Sequence, residues 1–199
     1  RDRAGKIIAA WEEQKQVKEI MVFLHAHGIS TNLAVKIYKE YGDTALQVVQ
    51  KDPYQLERDI YGIGFKTADR IAQALGLSPE HPSRIEAGIV FALNETINQG
   101  HVYVPNGMLV QRAIELLEVS HELIQPGLER LEGQERVRQE KLPRPNGRDD
   151  EIMDVVYLTP LYWGEVGVAE RIKALAKAQA PLLLQEKLPE TGIDLSDEQ

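Results

Sequence analysis

The sequence predicts a mainly α-helical protein, in which paired helices joined by tight turns precede a winged-helix-like subdomain with a small β-hairpin. Three observations support this fold class. A short motif recurs at spacings of 30 and 34 residues, apolar residues follow helical spacing through residues 84–132, and two β-prone runs flank an Asn-Gly pair at 146–147. The length of 199 residues suits one large or two small domains.

The recurring motif reads Ala, any residue, a basic residue and Ile, and its copies begin at Ala4, Ala34 and Ala68. The second and third copies each follow a turn at the same offset, Gly-Ile-Ser at residues 28–30 and Gly-Ile-Gly at residues 62–64. Apolar residues at helical spacing lie on both sides of each turn. Each repeat is therefore predicted to be a helix, a tight turn and a second helix.

The expected domain boundaries follow from this repeat. The first copy of the motif begins where its turn would have ended, which predicts that residues 1–14 are the tail helix of a truncated repeat. Residues 15–82 are expected to form the domain of paired helices, and residues 83–159 the winged-helix-like domain. Residues 160–199 are expected to be a helix and a linker.

The turn at residues 62–64 has the composition of a phosphate-binding site. Its glycines allow another backbone to approach closely, and the helix expected to start near Phe65 presents unpaired N–H groups at its positive end. Ile63, between the glycines, is expected to point inward and anchor the hairpin. Lys66 and Thr67 add a charge and a hydroxyl donor in the first helical turn. A plain helical hairpin would explain one such turn, but the repetition favours a binding site.

Residues 62–68, Gly-Ile-Gly-Phe-Lys-Thr-Ala, resemble the helix-hairpin-helix DNA-binding motif, which runs Gly, hydrophobe, Gly, any three residues and Ala. Residues 28–34 are a degenerate copy, with Ser30 at the second glycine, so its phosphate contact is left open. The stretch 23–72 is similar to the pre-motor region of RecD-like, TraA-related DNA helicases. The resemblance implies tandem helix-hairpin-helix units whose candidate DNA-binding residues are Gly62, Ile63, Gly64, Lys66, Thr67, Arg70, Gly28, Ser30 and Lys36.

The same resemblance has implications for the parent protein. Residues 195–199, Leu-Ser-Asp-Glu-Gln, are similar to the segment that opens the helicase motor, where a Gln recognises the adenine of ATP. This would give Gln199 a nucleotide-binding role in the parent, which would use ATP and Mg²⁺ to move 5′ to 3′ along single-stranded DNA. The implied partners are single-stranded or junction DNA and the helicase motor of the same chain.

The second half has the element order of a winged helix, with three predicted helices at 84–98, 106–118 and 120–132 followed by two strands. Ser120 is expected to cap the third helix, and Gly133 to end it. In DNA-binding examples of this fold the third helix enters a groove of the duplex. Here the third helix carries three Glu and a single Arg, so a structural role is favoured. The candidate contacts of the hairpin with the DNA backbone are Arg144 and Arg148.

Charge and residue content narrow the function classes. The net charge of −8 arises from residues 81–199, because residues 1–80 carry 11 basic and 11 acidic residues, and local fields decide phosphate binding. There is no Cys, no Gly-x-x-x-x-Gly-Lys-Ser/Thr and no His pair at ligand spacing. We therefore expect no catalytic residue, no metal and no bound cofactor in this segment. No apolar run of membrane length occurs, and a cytoplasmic location is expected.

These observations together predict a non-sequence-specific DNA-binding accessory region of an ATP-dependent DNA helicase, inactive without its motor. The alternative is a structural or protein-interaction module without direct DNA contact. In that case the hairpins only stack on one another, and the acidic second half binds a partner protein.

Overall fold

The fold is given by a computed structural model, which describes residues 2–144 and 151–177. The chain divides into two compact units, residues 1–161 and 162–199. Within the described ranges, the first unit is mainly helical with a small three-stranded antiparallel sheet, and the second unit is helical. The mainly α-helical fold class is therefore confirmed.

The elements of the first half are helices α1 Asp2–Ala26, α2 Thr31–Tyr41, α3 Ala45–Lys51, α4 Gln55–Asp59 and α5 Phe65–Ala74, with a 3₁₀ turn over Gly42–Thr44. The elements that follow are α6 Pro82–Ile97, β1 Tyr103–Pro105, α7 Asn106–Leu117, α8 His121–Gly133, β2 Val137–Pro143, β3 Ile152–Leu158 and α9 Thr159–Lys177. None of the helices in the described ranges is long and apolar enough to cross a membrane.

Helix α1 runs without a break through the boundary expected at residue 14. No glycine or proline occurs between Gly5 and Gly28, so nothing in the backbone interrupts a helix there. The motif copy at Ala4 therefore lies on the same helix that leads into the first turn.

Helix α5 packs against two hydrophobic clusters. Ile71 joins the cluster formed by α1–α4, whereas Phe65, Ala68 and Ala72 join the cluster built around α6. The rings of Phe65 and Phe91 stack at a centroid distance of 5.3 Å and connect α5 to α6 directly. The helix that follows the second turn is thus held in place by both halves of the first unit.

The sheet has the strand order β1-β3-β2. Strands β2 and β3 form the predicted hairpin, with a register from Val137↔Leu158 to Pro143↔Ile152. They extend beyond the predicted runs at 136–138 and 155–158, because the added β2 residues are mostly polar and half-buried or exposed, which weakens the apolar signal. Strand β1 joins the sheet through the pair Tyr103↔Tyr157.

Glycines allow α6 to pack closely against its neighbours. A Cβ atom added to Gly88 would lie 2.8 Å from Cγ of Leu117, and one added to Gly127 would lie 2.8 Å from Cγ2 of Ile85. Both distances are shorter than carbon atoms tolerate, so the crossings of α6 with α7 and α8 require residues without a side chain.

The ends of α8 differ in detail from the expectation. Ser120 is the N-cap, but its side chain accepts no capping hydrogen bond. Gly133 is the last residue of α8, and the left-handed conformation falls two residues later on Glu135, at φ 56°. The backbone N–H groups of Gln134 and Arg136 bond back to helix carbonyls there, which closes the helix without a glycine at the left-handed position.

Candidate nucleic-acid interface

The two predicted turns begin with the same backbone geometry. Gly28 has φ 74° and Gly62 has φ 89°, in the left-handed region that favours glycine. Each is followed by a fully buried isoleucine, Ile29 or Ile63, which anchors its turn in the first hydrophobic cluster. The expected inward position of Ile63 is therefore confirmed.

The third residue of each turn is the N-cap of the following helix. Ser30 has φ −70° and ψ 151°, and Gly64 has φ −98° and ψ 172°, both extended conformations that any residue adopts. The serine in the first turn therefore leaves the backbone course of the motif unchanged. The two turns differ at this position mainly in whether a side chain covers the N-terminus of the next helix.

Gly64 is required neither by conformation nor by packing. A Cβ atom added to it would have no neighbour within 4 Å, in contrast to the glycines of α6. What the glycine provides is an uncovered stretch of backbone at the start of α5, which another backbone or a phosphate group can approach closely.

The N–H groups at this uncovered end are available to a ligand. Those of Thr67 and Ala68 donate to the carbonyl of Gly64 at 3.0 and 3.1 Å. Across the described ranges, the N–H groups of Gly64, Phe65 and Lys66 donate to no backbone carbonyl. Unpaired amides at the positive end of a helix form a favourable environment for an anion.

Positive charge reaches the second turn from both repeats. Nζ of Lys36, on α2, lies 3.3 Å from the position that a Cβ of Gly62 would occupy. Nζ of Lys66 lies 5.6 Å from the ring centroid of Phe91, so this side chain rests on α6. Arg70 is exposed one turn further along α5, and Thr67 is half-buried.

The carboxylate of Asp59, which precedes the second turn, is held by internal hydrogen bonds. Asp59 accepts from the hydroxyl of Tyr41 at 2.9 Å and from Nε2 of Gln55 at 3.0 Å. Burial, and next the hydrogen bond to Asp59, raises the pKa of Tyr41, which keeps the phenol protonated as a donor. These contacts hold the Asp59 carboxylate against α2 and α4.

One exposed aromatic side chain at the turn was missed in the sequence. Tyr61 comes directly before Gly62 and is 100% exposed. A fully exposed aromatic ring of this kind can stack on a base of a single-stranded nucleic acid. The sequence signal that could have revealed it is an aromatic residue within a turn, where side chains are usually exposed and do not contribute to the core.

Of the two predicted hairpin residues, the described one, Arg144, lies elsewhere in the first unit. Arg144 follows β2, and its Nη1 is 3.4 Å from Oε2 of Glu151 in an exposed pair. Arg148 and Gln199 lie outside the described residues. On α8, Arg130 donates to Glu86 of α6 at 2.6 Å, so the single basic side chain of that helix is used internally. This agrees with a structural role for α8.

Among the described residues, the other ionisable groups with clearly shifted pKa values are Tyr54, Glu57 and Arg136, and all three lie outside the turns. Burial raises the pKa of Glu57, and burial followed by repulsion from Arg58 lowers the pKa of Arg136.

The histidines near the first turn have structural partners: His25 bonds Thr31 at 2.7 Å and His27 bonds the carbonyl of Phe23 at 2.7 Å. In the described ranges, no cluster of side chains is arranged to hold a metal ion.

Two repeats of helix, glycine turn with buried isoleucine, and helix define a tandem helix-hairpin-helix domain. Residues 13–103 match the family model of the ATP-dependent RecD2 DNA helicase HHH domain. The chain is also 31% identical over 127 residues to the ATP-dependent RecD2 DNA helicase of Deinococcus radiodurans. The predicted relationship to the helix-hairpin-helix region of RecD-like helicases is thereby confirmed. The match covers 63% of this chain and 17% of the relative.

Proposed function

We propose that this chain is a DNA-binding accessory region of an ATP-dependent 5′-to-3′ DNA helicase, and that it contacts the phosphate backbone without sequence preference. The observation that carries the proposal is the uncovered N-terminus of α5. There Gly64 leaves open space, and the N–H groups of Gly64, Phe65 and Lys66 have no backbone acceptor in the described structure. Amide donors contact phosphate oxygens and carry no information about base identity.

In this proposal a phosphate sits at the start of α5. The unpaired N–H groups of the turn donate to its oxygens, and the helix end adds a favourable potential. Lys36 and Lys66 contribute charge, with Arg70 and Thr67 flanking the same helix end. Tyr61 adds a stacking surface beside the phosphate. Desolvation is small because the site is exposed, so affinity would come mainly from charge and depend on salt.

The first turn, at residues 28–30, is a second and weaker contact in this proposal. Its backbone follows the same course, but the Ser30 side chain stands where Gly64 leaves open space. The hydroxyl can itself donate to a phosphate oxygen, whereas close approach of the backbone is reduced.

We further propose that α6–α8 and the three-stranded sheet form a winged helix. The element order and the strand order β1-β3-β2 support this interpretation. Arg144 and Arg148 would then contact DNA backbone from the wing, and α8 would have a structural role.

In the parent protein a motor of the same chain would bind ATP and Mg²⁺, with Gln199 at the adenine. It would act in the cytoplasm on single-stranded or junction DNA.

A structural or protein-interaction module is the second candidate. It is favoured by the exposed apolar side chains of α9, where Val168, Ile172 and Leu175 follow helical spacing and are open to solvent. A partner protein could cover this stripe without any DNA contact at the turns.

Fluorescence anisotropy with labelled single-stranded, duplex and junction DNA tests the proposal. The wild-type chain is expected to bind each DNA with an affinity that varies little with base sequence and falls steeply with salt. Gly64→Val should weaken binding to all of them, while Gly133→Val, at another exposed glycine with no neighbour within 4 Å, should not. A wild-type chain that binds none of these DNAs at low salt would favour the protein-interaction module.

A further inference from the structure

A cavity of about 500 Å³ lies where the end of α6, strand β1, the start of α7 and the sheet hairpin meet. This volume is within the range of pockets that bind small organic molecules. Most of the surface of the cavity is apolar. The described residues that matter for its chemistry are His101, Val102, Tyr103, Met108, Arg144 and Met153.

The cavity lies beyond the end of the pairing between β1 and β3. This pairing ends at Pro105↔Val155, so Met153 lies beyond the end of β1. Gly100, which follows α6 with φ 98°, also lines the cavity, and its positive φ favours glycine there. Val102 and Met108 are 36% and 48% exposed, so apolar side chains that would normally be covered face solvent here.

Apart from the tyrosine, the ionisable side chains in the described lining of the cavity are basic. Arg144 and His101 are in the lining, and none of the described lining residues is acidic. The pair between Arg144 and Glu151 is exposed, with 3.4 Å between its atoms, so it is weak and Arg144 can exchange this partner for a phosphate at little cost. The combination of apolar walls, one tyrosine ring and a rim arginine suits a flat aromatic ligand with a neighbouring anion.

We propose that this cavity receives an unpaired base of single-stranded DNA, with the adjoining phosphate at Arg144. The inference rests on the proposed function and adds a site that the phosphate-binding turns do not supply. Proteins bind unpaired nucleotides by placing bases against aromatic and apolar side chains while basic groups hold the backbone. Bases stacked within a duplex are not accessible to such a pocket, so the cavity gives preference for single strands over duplex.

The test uses the double variant Val102→Ser/Met108→Ser, which removes apolar wall at two partly exposed positions and leaves net charge unchanged. Val22→Ser, an exposed valine on α1, is the matched control. Binding to a single-stranded and a duplex oligonucleotide of equal length is measured by anisotropy. We expect about a tenfold loss of single-strand affinity and an unchanged duplex affinity in the double variant. An oligonucleotide containing 2-aminopurine should change fluorescence on binding wild type, and less on binding the variant.

Two outcomes would overturn the inference. One is equal affinity of the double variant and the Val22→Ser control for single-stranded DNA. The other is an equal loss for single-stranded and duplex DNA, which would mean that the cavity does not distinguish an unpaired base. In either case a wild-type chain that binds duplex DNA, and loses this binding with Gly64→Val, leaves the proposed function intact. Arg144→Gln should lower affinity and the salt dependence together, and an unchanged salt dependence would remove the phosphate from the site.

Discussion

Arg84 of α6 and Asp69 of α5 form a buried ion pair, in which Nε of the arginine donates to Oδ1 of the aspartate at 2.8 Å. Arg84 is only 8% exposed. Its Nη1 also donates to the carbonyls of Pro79 and Leu117, at 3.0 and 2.9 Å. One guanidinium therefore links the helix of the second turn to α6 and to the end of α7.

Replacing Arg84 by alanine is expected to destabilise the protein by about 3–5 kcal/mol, because the Asp69 carboxylate would lose its charged partner inside the structure. Arg130→Ala is the control, since it breaks an arginine–glutamate pair of similar length whose arginine is 40% exposed. That change should cost about 1 kcal/mol or less. Urea unfolding followed by circular dichroism compares the two, and equal losses would contradict the assignment.

The stability of the protein should fall above pH 10 in part because of Tyr54. Its hydroxyl donates to Asp69 at 2.5 Å, and burial, followed by this bond, raises its pKa. An unfolded tyrosine loses its proton near pH 10, whereas the folded one keeps it. The contribution is therefore complete below pH 10 and is lost as the pH rises through the folded pKa.

Tyr54→Phe should cost roughly 1.5–3 kcal/mol at pH 7 and make the alkaline fall shallower. Tyr41, whose pKa is also raised, should retain its own share of that fall. Unfolding free energies measured between pH 7 and pH 11 decide this. A variant whose free energy of unfolding falls as steeply as that of wild type would show that Tyr54 titrates alike in both states.

Gly88→Ala is expected to destabilise by about 1–2 kcal/mol, since overpacking against Leu117 outweighs the better helix propensity of alanine. Gly107→Ala, on the exposed side of α7, is the matched control, because a Cβ there has no neighbour within 4 Å. The control should be neutral or stabilise by up to about 1 kcal/mol. Thermal unfolding of both variants tests the sign of each change.

Gly64→Val should weaken DNA binding more than Lys66→Ala does. The valine obstructs approach to several amide donors, while loss of Lys66 removes one exposed charge, worth about 1 kcal/mol or less. Valine is compatible with the extended backbone of Gly64, so unfolding experiments should show little change in stability. Negligible effects of both changes on DNA affinity would exclude this turn as a phosphate site.

Lys36 should contribute to the same site from the first repeat. Lys36→Gln is expected to lower the slope of log K against log salt by about 0.7 for single-stranded DNA and about 0.9 for duplex. Lys51→Gln, an exposed lysine at the end of α3, provides the control. Titrations at several salt concentrations measure both slopes, and identical slopes for the two variants would separate Lys36 from the phosphate.

Local signals in the sequence were sufficient for the turns and for most helices. Glycine turns and helical spacing placed α6 and α7 within about two residues of their observed ends, and Ile63 is buried as expected. These features depend on neighbours along the chain, which is the information a sequence displays directly.

Features that depend on distant residues could not be derived in this way. The pairing of Tyr103 with Tyr157 joins strands separated by two helices and a hairpin strand. The Arg84–Asp69 pair is invisible without the packing of α5 on α6. The role of Gly64 could be predicted only in part. The sequence could not show that its backbone conformation is extended, or that no atom lies within 4 Å of an added Cβ.

The approach of Lys36 to Gly62 means that the two repeats are not interchangeable copies. Lys36 of the first repeat lies beside the backbone turn of the second, so the proposed phosphate site would draw on both repeats. A chain with a single repeat could fold a similar turn and would still lack half of this arrangement. Substitutions at the two repeats should therefore combine non-additively in DNA binding.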